Sequence, residues 1–233
     1  MLDELLARVR ATQPALAPEQ VAVVAAVALL ITWSPFGYRM VRHVVTLVHE
    51  AGHALIAALA GRKLRGIRLH SDTSGLTLSR GRPSGPGMVA TLLAGYPAPT
   101  VLGLVGAWVL GAGHAAALLW GAVLACAVVL LLIRNLYGLW VVLATGVAVG
   151  ALSWFGSPVT STWVATVLVC ALLLAAPRSV FELAKQRRRG AARGSDADQL
   201  ARLTRLPALL WVGLFALLCL AGLVAAGWLL LRP

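Results

Sequence analysis

Seven apolar stretches, separated by short runs of Pro, Gly and charged residues, constrain this chain to fold as a bundle of membrane helices. Hydrocarbon offers no water to backbone N–H and C=O groups, so a segment entering it must satisfy them internally as a helix. The stretches run approximately Gln20–Trp33, Val41–Ala60, Met88–Leu110, Ala115–Ile133, Leu136–Leu152, Thr162–Val180 and Pro207–Leu230. Hydrophobic residues make up 60% of the chain and charged residues only 12%, which excludes an ordinary soluble domain. The expected fold is an all-α polytopic membrane protein of about seven transmembrane helices. Residues 1–19 read as a short amphipathic arm and residues 20–233 as one transmembrane unit.

Orientation follows from the 20 Lys and Arg. An N-terminus in the cytoplasm assigns 17 of them to the inner side and leaves Arg39, Arg42 and Arg232 outside. The expectation is an integral protein of a bacterial plasma membrane, with the N-terminus cytoplasmic and the C-terminus outside. The net charge of +12 does not point to nucleic acid. The run QRRRGAARG falls in a basic loop, 181–206, at a membrane boundary, where it meets anionic headgroups. No aromatic-interleaved basic patch accompanies it. Cys126, Cys170 and Cys219 fall inside apolar stretches with neither zinc-site nor disulfide spacing, and read as core filler.

Within the second stretch, TLVHEAGHALIAALAG places His49, Glu50 and His53 on one helix. Histidines at i and i+4 share a face one turn apart, so both imidazoles can reach one metal. The acid between them can take a proton from a metal-bound water. Such residues are costly in hydrocarbon unless they are paired or functional. The pattern points to hydrolysis with Zn2+ inside the membrane. Gly52, lacking a side chain, suits the close approach of another helix.

A zinc site needs a third protein ligand. Glu182, in RSVFELAKQRRR, is the leading candidate because it sits where the sixth stretch meets the basic loop and can point up into the bundle. Asp196 and Asp198, in GSDADQLARLT, come next, although Ser195 or Asp196 there also reads as the cap of a short helix. Asp72 follows them. Asn135, at the start of the fifth stretch, is placed to hydrogen-bond a substrate backbone or scissile carbonyl. GYPAPTVLG, Gly95–Gly103, breaks the third stretch with two prolines. Between Gly61 and Gly87, two alternating runs, Leu64–Leu69 and Gly75–Ser79, flank the turn Ser71–Ser74. They read as a cytoplasmic-side β-hairpin whose edge can pair with an unwound substrate strand.

These segments together resemble the site-2 protease family of intramembrane zinc metalloproteases. HEAGHALIAALAG is similar to its catalytic helix, and the hairpin ending in SGLT to the β-hairpin that follows it. GYPAPTVLG, RNLYG, SVFEL and SDADQLARLTRLPALLW resemble a compact, uncharacterised bacterial branch of that family. The resemblance implies His49 and His53 as zinc ligands, Glu50 as catalytic base, and a single-span membrane protein or peptide as substrate. It implies an acidic third ligand. The wider family uses an Asp within N-P-D-G or L-D-G, neither of which occurs here, and related eukaryotic sequences carry Asp at the position of Glu182.

Overall fold

The computed structural model describes residues 2–190 and 194–232. Arg193, counted in the basic loop, and the terminal Pro233 lie outside them. Ten helices and one hairpin follow in chain order among the described residues. The first part is α1 Leu2–Arg10, α2 Pro18–Trp33, α3 Pro35–Leu59, β1 Lys63–Leu69 and β2 Gly75–Arg80. The remainder is α4 Pro86–Ala94, α5 Ala98–Gly111, α6 Ala115–Leu130, α7 Leu136–Phe155, α8 Pro158–Arg188, α9 Asp196–Thr204 and α10 Ala208–Leu231.

Three of these helices, α7, α8 and α10, are long and apolar enough to cross a membrane, or up to five spans if each bent pair counts as one. The bent pairs are α2 with α3, at 97°, and α4 with α5, at 65°. Sharp breaks need local causes. At the first, Ser34 caps α3 by accepting a hydrogen bond from Gly37 N, and Pro35 occupies the first turn, where its missing N–H costs nothing. At the second, the expected break in GYPAPTVLG is present at residues 95–97. The count of seven spans is not reached: α2 and α3 form one bent pair, and α6, with 16 residues, is short for a crossing. Helix α3 turns across the bundle and touches α2, α4, α5, α7 and α8 in turn.

Contacts at both ends of the chain place them relative to the bundle. Arg8 donates to Trp154 O at 2.7 Å, Gln13 N to Gly113 O at 2.8 Å, and Thr162 Oγ1 to Pro14 O at 3.0 Å. Leu16 and Leu230 pack on one apolar cluster around Val24 and Cys170. The N-terminal arm and the end of α10 therefore share one end of the bundle, which corrects the expectation that they lie on opposite sides. Arg42 and Arg178 both stand over the Tyr38 ring, so the first turns of α3 belong at the other end, with the basic loop.

Apolar side chains such as Leu209, Leu217, Leu220 and Val224 on α10 remain exposed along the outer faces, as lipid contact requires. Inside, three further apolar clusters hold the elements together around the site. One joins α5, α6, α8 and α10 through Leu119, Val169 and Leu173. A second joins α4, α8, α9 and α10 through Leu92, Val180, Leu200 and Phe215. The third fastens the hairpin to α3 and α7 through Ile67, Leu47 and Val142. The cysteines are free thiols within or beside this packing, as expected of filler.

The hairpin has nearly the expected bounds, with Ile67 opposite Thr77 and Leu69 opposite Gly75. One of its two edges is occupied. Ile67 N donates to Leu132 O at 2.7 Å, and Arg134 N donates to Ile67 O at 2.9 Å. Since Ile67 turns its backbone polar groups toward that segment, Thr77 opposite it turns its own toward the free edge of β2. Only β2 is open for pairing.

Candidate metal centre and cleft

His49 and His53 project from one face of α3, as their spacing requires. His53 Nδ1 lies 2.7 Å from Thr91 O of α4. A carbonyl can only accept, so Nδ1 carries the proton and the Nε2 lone pair points toward His49. This is the way a metal-binding histidine is usually oriented by its second nitrogen. The two Nε2 atoms lie 3.0 Å apart, and each is 3.3 Å from Asp196 Oδ2. The His49 ring is held edge-on to Tyr96, centroids 4.8 Å apart, and Tyr96 stacks on Phe215 at 4.9 Å.

Two glycines permit this proximity. A Cβ on Gly95 would lie 2.5 Å from His53 Cε1 and Nε2 and 2.6 Å from His49 Cε1. The break between α4 and α5 can touch the imidazoles only as bare backbone. A Cβ on Gly52 would lie 2.6 Å from Ala98 Cβ, so α3 meets that same break as closely as its sequence position suggested.

Asp196 reaches the histidines from α9, a nine-residue helix in the loop between α8 and α10. Ser195 caps it, its Oγ accepting from Asp198 N. Its apolar face sinks Ala197 and Leu200 into the cluster shared with α4, α8 and α10. Arg187 ties Asp198 back to the end of α8. Burial alone would raise the Asp196 carboxyl, but the two imidazoles facing it outweigh that and hold it well below the usual carboxylate range.

Three donors 3.0–3.3 Å apart form a nearly equilateral triangle. Ligands about 2.0–2.1 Å from a tetrahedral zinc are separated by about 3.3 Å. The set therefore fits Zn2+, two neutral imidazoles and one carboxylate leaving the fourth position open. His49, His53 and Asp196 are the group suited to a metal among the described residues.

Glu182, the leading candidate from sequence, is not in this triangle. Its Oε1 accepts from Arg178 Nε at 3.2 Å and pairs with Nη2 at 3.0 Å, a contact one helical turn away within α8. Its i−4 neighbour satisfies it before the metal position is reached. Asp198 is spent on Arg187, and Asp72 on Ser74 in the hairpin turn. Asn135 does not face the cleft as a free amide. Its Oδ1 accepts from Leu69 N at 3.2 Å and its Nδ2 donates to Leu69 O at 2.6 Å, extending the occupied edge of β1.

Glu50 is 5% exposed, and its Oε2 accepts from Thr77 Oγ1 of β2 at 2.6 Å. It lies on a cavity of about 160 Å³ bordered by His49, Tyr96, Gly75 and Arg42. The sequence reading did not single out Thr77, Thr91 or Tyr96. The SGLT and GYPAP motifs that carry Thr77 and Tyr96 were the available signals.

Comparison with known proteins agrees with this geometry. The family model for Peptidase M50B-like proteins matches residues 22–226, nearly the whole chain, and the chain belongs to that family. No curated protein and no solved structure matches it.

Proposed function

We propose that this member of the Peptidase M50B-like family is an intramembrane zinc endopeptidase. It hydrolyses a peptide bond in or near a transmembrane segment of a single-span membrane protein or peptide. The observation that carries this reading is the triangle of His49, His53 and Asp196 one residue from a buried carboxylate on the same helix. Zinc held there supplies a Lewis acid, which polarises the scissile carbonyl and acidifies the attacking water.

The chain's own residues do the rest. Glu50 accepts the proton of that water at its carboxylate and returns it to the leaving amine. Thr77 donates to Oε2, which fixes the carboxylate rotamer and leaves the second oxygen for the proton. A substrate helix hides its carbonyls in its own hydrogen bonds, so it must unwind locally before attack. The free edge of β2, beginning at Gly75 beside Glu50, replaces those lost bonds with strand pairing. Asn135 serves this edge indirectly, by clamping β1 from the opposite side.

In the membrane, the end that carries the hairpin and the loop from Lys185 to Arg205 faces the cytoplasm and its anionic headgroups. Arg8 and Arg10 leave that end and Arg39 and Arg42 join it, so the charge bias persists with both termini outside. Impermeant thiol reagent on intact cells should label cysteines placed at Ala11 and Arg232, but not one at Gly190. Labelling at Gly190 without lysis would reverse the orientation.

The activity is tested with purified protein against single-span peptides, phospholipids and small amides. The expected result is cleavage of a single-span peptide alone, abolished by chelation and restored by Zn2+. Hydrolysis of lipid or amide without any peptide cleavage would overturn the endopeptidase reading.

A further inference from the structure

The cleft beside Glu50 has a charged wall that hydrolysis itself does not use. Arg42 shares the face of α3 that carries Thr46, His49 and His53, and it borders the cleft with Tyr38, Ser179, Glu182 and Gln186. Glu182 is neutralised there by Arg178. Asp72, in the hairpin turn, has its Oδ1 engaged by Ser74 N and Oγ. Arg42 makes no ion pair or side-chain hydrogen bond among the described residues. Its guanidinium stands 5.9 Å from the Tyr38 ring centroid. The wall thus keeps one guanidinium without an ion-pair partner among the described residues, in a partly enclosed site where salt screens it weakly, while Glu50 in the same cleft is turned onto Thr77.

A guanidinium in such a place matches a carboxylate, which it can bind through two parallel hydrogen bonds. Position selects which carboxylate. Arg42 precedes His49 by two turns of α3, about 10 Å. An extended peptide covers that distance in about three residues. The hairpin follows the same line, because Thr77 donates to Glu50 and, further along, Thr46 Oγ1 donates to Thr73 O at 2.8 Å. A strand laid on β2 at Glu50 therefore continues toward Arg42.

We propose that Arg42 forms an acid-selective subsite, taking the side-chain carboxylate of a substrate residue about three positions from the scissile bond. The proposal rests on the endopeptidase reading above and adds its sequence preference.

The test uses single-span peptides that share one cleavage site and carry Glu, Gln or Lys at the third residue on either side of it. Wild-type protein should prefer Glu at one of these two positions by about tenfold or more in kcat/KM, the scale of one charge-assisted hydrogen bond. Arg42→Lys should keep the preference, Arg42→Gln should lose it, and Arg42→Glu should invert it toward Lys. The gain on the Lys peptide shows that the variant is folded. The same order should appear in peptide affinity for Glu50→Gln protein, where turnover is slow enough for binding to be measured. Equal use of Glu, Gln and Lys peptides by the wild type sinks the subsite and leaves the endopeptidase reading standing. A zinc-loaded wild type that cleaves no peptide sinks both.

Discussion

Asp196→Ala should strip most of the zinc from detergent-purified protein, whereas Glu182→Ala should leave it bound. The expected loss of affinity at Asp196 exceeds about 100-fold, because even outer partners of metal ligands cost 10–100-fold when removed. The triangle explains the asymmetry. Asp196 Oδ2 lies 3.3 Å from both imidazoles, while Glu182 is closed onto Arg178. Metal analysis after dialysis against a competing chelator decides it. Zinc retained by Asp196→Ala and lost by Glu182→Ala would restore the sequence-based candidate. Glu182→Ala has a different cost. Arg178, only 14% exposed, keeps its bond to Trp33 O and its position over Trp33 but loses its counter-ion. The expected result is a lower melting temperature with metal content unchanged.

Glu50→Gln should keep zinc and reduce peptide hydrolysis by about 100- to 10,000-fold, the usual contribution of a positioned general base. The substitution is nearly isosteric. Thr77 Oγ1 can still donate to the amide oxygen, so the α3–β2 contact survives. What disappears is the site that receives the water's proton. Single-turnover assays at matched zinc occupancy provide the measurement. A variant that hydrolyses at the wild-type rate would remove Glu50 from the mechanism and with it the reading of H-E-x-x-H as a hydrolytic motif.

The difference between the expected third acid and the one beside the histidines has a physical origin in particular residues. By sequence, Glu182 stands where an apolar stretch meets a basic loop, and Asp196 reads as a helix-start acid. Neither description shows which acid lies beside the histidines. Helix α8 runs from Pro158 to Arg188, longer at both ends than the stretch expected, and Glu182 meets Arg178 on its own helix first. The cap description of Asp196 is accurate as far as it goes, since Ser195 is the cap and Asp196 the first helical residue. A local pattern cannot show that this loop helix folds back on the bundle. Burial of Ala197 and Leu200 against α4, α8 and α10 accomplishes that, and it aims Asp196 inward.

Topology failed for a related reason. Hydropathy locates apolar segments but not the angle between consecutive ones, such as the 97° turn at Ser34. Which end of the bundle the arm joins is decided by long-range contacts such as Arg8 with Trp154 O.

By itself, the sequence determined what depends on periodicity and composition. It established the helical, lipid-facing character, the hairpin with its turn, the break at GYPAP and the placement of His49, Glu50 and His53 on one helix face. Those follow from local geometry, 3.6 residues per turn or two per pleat, and from the cost of bare polar groups in hydrocarbon. The tertiary structure alone decided which acid joins the histidines, which hairpin edge stays open, and how α3 lies across the bundle. Each of these is a contact between segments far apart in the chain: Asp196 with His49, Ile67 with Leu132, Arg178 with Tyr38. Such contacts are set by which apolar faces bury one another. That choice is made by the whole bundle together and leaves no mark in any single segment.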